Sequence, residues 1–183
     1  MSEKINVEFS LIYRLLHPMH TVLVSSVEKT GKANVLPIAW VMPTSRSPPL
    51  VAISVAPSRH SHALIEETRE FVVNIPTVDL VNEVFVCGRT SGKNLDKFVE
   101  SGLTALPARN VKAPIVEECV AHLECKLISQ FKTGDHTIFV GEVIEAYANK
   151  GIFSDKYDIE KGRMLFHLGG NIFATLDPKV HMP

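Results

Sequence analysis

Between Asn34 and Ser61 the chain sets out, in order, a carboxamide (Asn34), its only tryptophan (Trp40), two hydroxyls (Thr44 and Ser45) and the run Ser58-Arg59-His60-Ser61. A phosphate monoester is close to a dianion at neutral pH. It needs oriented donors and at least one cation, whose bonds to it are roughly twice as strong as neutral ones. Ser58, Arg59 and Ser61 offer two hydroxyls and a guanidinium at a predicted helix start, where backbone N–H groups are free. The earlier residues offer an aromatic face with side-chain and backbone hydrogen-bonding groups beside it. The arrangement suits a ligand that is flat and aromatic at one end and anionic at the other. Composition alone also allows a plain strand-to-helix loop at Ser58–Ser61 and a core role for Trp40.

Other reactive residue types are scattered further along. His136 follows Gly134-Asp135 at a predicted strand start. Histidine as a residue type suits a positioning or proton-donating role. Lys93 and Lys97 could stabilise negative charge on a reduced ligand, or simply be solvated surface lysines. His60 and His62 have His-x-His spacing, but they fall at a helix start with no third ligand in view, so no metal is expected. The pair Gly169-Gly170 fits no G-x-G-x-x-G pattern, which argues against a Rossmann dinucleotide site. The three cysteines, Cys87, Cys119 and Cys125, read as free thiols. Cys119 and Cys125 fall in one predicted strand. All three read first as small buried hydrophobes, with Gly88-Arg89 beside Cys87 offering the alternative of a lowered pKa there.

These residues need a scaffold. With 183 residues, 45% hydrophobic and 21% charged, the chain is globular in composition. It is taken as a single domain over residues 1–183. A net charge of −1 with no basic run excludes a general nucleic-acid or membrane-surface binder. The start, Met1 to Asn6, has no apolar signal core, and no window approaches the ~20 apolar residues of a membrane span. The expected location is the cytoplasm. Strands are predicted over Thr21–Val27, Ala33–Met42, Leu50–Val55, Glu70–Ile75, Glu118–Phe131, Thr137–Tyr147 and within Arg163–Thr175. Pro37 marks an edge or bulge in the second of them. Short helices are predicted over Ser61–Arg69, from Thr77 to about Cys87, and over Asn94–Glu100, with loops over Ser45–Pro49 and Gly88–Lys93. So many strands with so little helical interleaving exclude a doubly wound α/β sheet. A mainly β fold, an antiparallel β-barrel with short helices, fits better.

Several ordered stretches resemble a known family. They are Asn34 through Ser45, Ser58-Arg59-His60-Ser61-His62, Glu70 through Pro76, Ser91-Gly92 with Asp96-Lys97-Phe98, Gly134-Asp135-His136, and Phe166 through Gly170. Together they look like the flavin reductase-like, FMN-binding split-barrel proteins, in particular the flavoredoxin-like branch. The resemblance implies a Greek-key split barrel, a homodimer and a bound FMN. It implies that Asn34, Trp40, Thr44 and Ser45 lie along the ring system and that Ser58, Arg59 and Ser61 hold the phosphate. Lys97, His136 and Phe166 would border the reactive side, with Lys93 nearby and His136 as the candidate catalytic residue. The implied function is an oxidoreductase that takes a hydride from NADH or NADPH onto FMN and passes electrons to a flavin, a metal complex or a protein. The alternative is a non-enzymatic FMN-binding electron carrier.

Overall fold

The structure, a computed structural model, describes residues 2–181. After a 3-10 helix at Phe9–Leu16, the chain forms β1 (Met19–His20), β2 (Val22–Val27), β3 (Ala33–Ile38), β4 (Val41–Arg46) and β5 (Pro49–Val55). Helix α1 (His60–Thr68) leads to β6 (Glu70–Ile75). Helices α2 (Val81–Arg89) and α3 (Lys97–Ser101) then precede the short strands β7 (Ala105–Leu106) and β8 (Ile115–Val116). The long pair β9 (Ala121–Thr133) and β10 (His136–Ala148) follows, and β11 (Phe166–Gly169) with β12 (Ile172–Ala174) ends the fold.

Seven strands form one antiparallel sheet in the order β3-β2-β6-β9-β10-β5-β4. Strand residues alternate their faces with period two, so Val22 and Val24 of β2, Phe71, Val73 and Ile75 of β6 and Val51, Ile53 and Val55 of β5 all point one way. They meet in a single buried cluster with Leu36 and Ile38 of β3. Strands from both ends of the sheet thus share one core, and the sheet is rolled with its edges β3 and β4 unpaired. Gly141 of β10 sits where the roll is tightest. A Cβ there would meet the Phe71 ring at 2.6 Å and Cys125 Cβ at 3.0 Å, and a register shift falls between Val140 and Gly141. Pro37 lies in edge strand β3, where its missing N–H costs no ladder bond.

The other face of β2 packs α2 and α3 through Leu23, Val84, Cys87 and Phe98. Buried polar groups fasten the connector before β8. Glu124, fully buried on β9, accepts hydrogen bonds from the Arg109 and Asn110 backbone N–H groups at 2.8 and 2.7 Å and from the Tyr147 hydroxyl at 3.0 Å. Asn74 Oδ1 accepts from the Val116 N–H at 3.0 Å and lies 2.9 Å from His122 Nδ1. Burial holds the His122 imidazole down at about 4.

Several sequence expectations need correction. The predicted strand Ala33–Met42 is split into β3 and β4, and the predicted helix from Thr77 starts as a 3-10 turn at Val78–Leu80, with α2 running on through Arg89 into the predicted Gly88–Lys93 loop. The predicted Ser45–Pro49 loop shrinks to a turn at Ser47-Pro48, because β4 continues through Arg46. Cys119 and Cys125 do not share a strand: β9 begins at Ala121, and the Cys119 N–H bonds to Val116 O in the preceding turn. Cys87 is buried, as its leading reading had it: burial pushes its thiol up, and the alternative of lowering by Arg89 falls, because that side chain lies over Phe85.

Candidate functional site

Two cavities open between the β3–β4 corner, the start of α1 and helices α2 and α3. The larger is about 430 Å³ and the smaller about 110 Å³. The first falls within the roughly 300–1,000 Å³ of small-molecule sites. Both are lined by Leu36, Ser58 and Arg59, so the two lie side by side.

Local sequence fixes each wall. The chain breaks between β3 and β4 at Ala39-Trp40, where Trp40 O accepts the Ser54 N–H at 2.9 Å and holds the corner against β5. The Trp40 ring remains 38% exposed on the wall of the larger cavity. The His136 imidazole lies against it, with ring centroids 4.7 Å apart and tilted by 36°. Tyr13 of the 3-10 helix packs on Trp40 edge-on at 6.0 Å. Asp135 sits 2.7 Å from His136 Nδ1, and that hydrogen bond holds the Asp135 carboxyl below the usual carboxylate range. With Nδ1 engaged, Nε2 is the nitrogen left to meet a ligand.

The smaller cavity lies at the N-terminus of α1. No side chain caps this helix; the His62 N–H bonds to Arg59 O at 3.0 Å, which leaves the N–H groups of His60 and Ser61 their capacity for an anion. Ser61 is buried in the first turn and its hydroxyl accepts from Asn34 Nδ2 at 2.7 Å. That leaves Asn34 Oδ1 buried without a partner. The opposite wall is the Ser91-Gly92 backbone, and a Cβ on Gly92 would lie 2.1 Å from Asn34 Oδ1. Only glycine at this position leaves room for the Asn34 carboxamide.

Lys97 completes the small cavity. Asp96 caps α3 by accepting the Phe98 and Val99 N–H groups, and this sets Lys97 inward. Its Nζ donates to Val35 O at 3.0 Å and to Cys87 O at 2.7 Å. Burial, with the Arg59 charge adding to it, brings the ammonium down to about 8. No residue lining either cavity is acidic among those described, while Arg59, Arg89 and Lys97 all line them.

Of the sequence candidates, the structure gathers Asn34, Ser58, Arg59, Ser61 and Lys97 around the smaller cavity, and Trp40 and His136 on the larger. Lys97 is therefore with the anion-type residues and not beside His136. Thr44 is exposed on β4, and neither it nor Ser45 lines a cavity. Lys93 is exposed, and Phe166 packs on His20 with centroids 5.5 Å apart. The imidazoles of His60 and His62 diverge, toward Glu28 and Thr137 respectively.

Sequence reasoning missed Thr21, Phe85, Arg89, Asn171 and Phe173 in the larger cavity. Only the i, i+4 spacing of Phe85 and Arg89 hinted at a shared helix face. The rest come together through long-range pairing that no local pattern announces.

Residues 13–170 match a family model described as flavin reductase like domain. An uncharacterised protein of Archaeoglobus fulgidus is 38% identical over 161 residues, covering 87% of this chain and 89% of that protein. A flavin reductase of Pseudomonas putida is 31% identical over 154 residues, covering 84% and 82%. Among solved structures, flavoredoxin of Desulfovibrio vulgaris (Miyazaki F) superposes with a TM-score of 0.86 at 26% identity, covering 100% of this chain and 97% of that one.

Proposed function

Because the chain belongs to the flavin reductase like domain family, we propose that it is an oxidoreductase that holds FMN across the two neighbouring cavities. It takes a hydride from NADH or NADPH and passes electrons to a flavin, a metal complex or a protein acceptor. The observation that carries this reading is the lining: an acid-free pair of cavities, cationic and donor-rich at one end and aromatic at the other. The orphaned buried Asn34 Oδ1 fits a ligand that supplies a donor, and the missing side chain at Gly92 is what lets that carboxamide stand at the cavity wall. The flavin reductase and flavoredoxin likenesses support the same cofactor.

On this reading Ser58, Arg59, Ser61, Lys97 and the first turn of α1 hold the phosphate. Asn34 contacts the chain between phosphate and ring, and Trp40 with His136 walls the ring. Thr44, Ser45, Lys93 and Phe166, outside the cavity lining, would act from its margins. Bound FMN would supply reversible uptake of two electrons and a proton. The chain's own part is to orient and to exclude water. Hydride transfer needs close stacking of donor and acceptor more than a protein acid. His136 is therefore first a positioning residue: Asp135 fixes its Nδ1 side, and Nε2 can hold or release a proton toward the ligand.

The test is the absorption spectrum of the purified protein, with the heat-released flavin identified. The expected outcome is FMN in the extract. Arg59→Ala with Ser61→Ala should cost two or more powers of ten in FMN affinity, since each charge-assisted hydrogen bond is worth about 1.5–3 kcal/mol. An unchanged affinity would remove the phosphate assignment. Rapid mixing of the loaded protein with NADH and with NADPH should bleach the flavin. A flavin that stays oxidised with both would make the protein an electron carrier instead.

A further inference from the structure

The charge inventory of the cavities leaves one residue over. Arg59 and Lys97 meet at the smaller cavity, and together they match one phosphate dianion. Arg89 lines only the larger cavity. It is the last residue of α2, its guanidinium carbon lies 5.3 Å from the Phe85 ring centroid, and it joins none of the salt bridges among the described residues. The carbonyl end of α2 offers it only a fraction of a charge. The same cavity also holds Thr21, 2% exposed, whose Oγ1 has no hydrogen-bond partner. Besides any flat ring, the larger cavity thus presents a cation and a hydroxyl with nothing to bind. A guanidinium over an aromatic ring makes no hydrogen bond to it and keeps its fork of N–H donors free, the fork that grips paired phosphate oxygens.

We propose that Arg89, on its Phe85 platform, binds the pyrophosphate of the dinucleotide that delivers electrons to the site. The assignment rests on the hydride-transfer reading above. It extends that reading by naming where the donor's charged half is held.

The experiment uses the full chain loaded with FMN and titrates it with ADP-ribose, which carries the pyrophosphate but no hydride. Arg89→Ala should weaken ADP-ribose binding about tenfold to a hundredfold, the scale of one or two charge-assisted hydrogen bonds, and Arg89→Lys should restore part of it. The KM for the reducing dinucleotide should rise by the same factor. Reduction by 1-benzyl-1,4-dihydronicotinamide, which lacks phosphate, should keep its rate. FMN affinity should not change. Equal ADP-ribose affinity in wild type and variant would overturn the proposal. So would a loss confined to FMN or FAD retention, which would move Arg89 to the cofactor. Wild-type protein that binds ADP-ribose through Arg89 yet is reduced by neither dinucleotide would leave the pyrophosphate site standing and remove the hydride-transfer reading alone.

Discussion

Lys97 is an ammonium with two carbonyl partners, no carboxylate, and a charge made costly by burial. In the ligand-free chain its proton is held down at about 8, against 10.5 in the unfolded state. The unfolded chain therefore binds more protons across that window, and the stability of the empty protein rises as pH goes from about 8 to 10.5. Phosphate binding has the opposite sign, because the charged form is the one an anion favours. FMN affinity should fall as pH passes above about 8, and FMN titrations across pH 7–10 will read that downturn. Lys97→Met should bind FMN at least about tenfold more weakly at pH 7 and lose the downturn. A variant that keeps it would assign the titration to another group.

At the scale of elements, the β9–β10 pair carries the frame, and buried Glu124 straps the connector between β7 and β8 onto it. Glu124→Gln turns one carboxylate oxygen into a donor facing groups that are donors already. It should cost about 2–4 kcal/mol, read as a lower urea midpoint. Neighbouring His122 sets a separate acid limit. Its proton leaves at about 4 in the folded chain and near 6.5 in the unfolded one, so stability should drop as pH falls from 6.5 toward 4. Urea midpoints across that range in wild type and His122→Gln will show the drop and its loss. Strands were the most legible feature of the sequence, since Val22–Val27 and Glu70–Ile75 declare themselves by β-branching and length. Pro37 declared its edge by chemistry alone. The site was only half legible: Ser58 to Ser61 sit together in the chain, whereas Arg89, Asn171 and Gly92 join them through packing of α2, the β11–β12 turn and the loop before α3. Thr44 looked equivalent to Trp40 in sequence, but the β4 ladder carries it past the cavity.

For the molecule as a whole, the 3-10 helix Phe9–Leu16 is anomalous. None of its residues is buried, with Phe9 89%, Leu15 69% and Leu16 73% exposed, which is unusual for side chains of this kind. We propose that a second copy covers it. Light scattering should then give twice the 20.2 kDa chain mass, and Leu15→Glu with Leu16→Glu should halve it. A wild-type monomer at micromolar concentration would discard the idea.

The acid-free lining has a consequence for the protein's lifetime in a cell. Arg59 and Lys97 meet at the smaller cavity with no anion in its lining, so the newly made, empty chain carries a repulsion that its loaded form does not. On the proposed reading, occupancy adds stability as the logarithm of cofactor concentration over its dissociation constant. Cellular degradation, which removes the opened chain, would then follow flavin supply. Cells short of the vitamin would hold less of this protein as well as less of its activity.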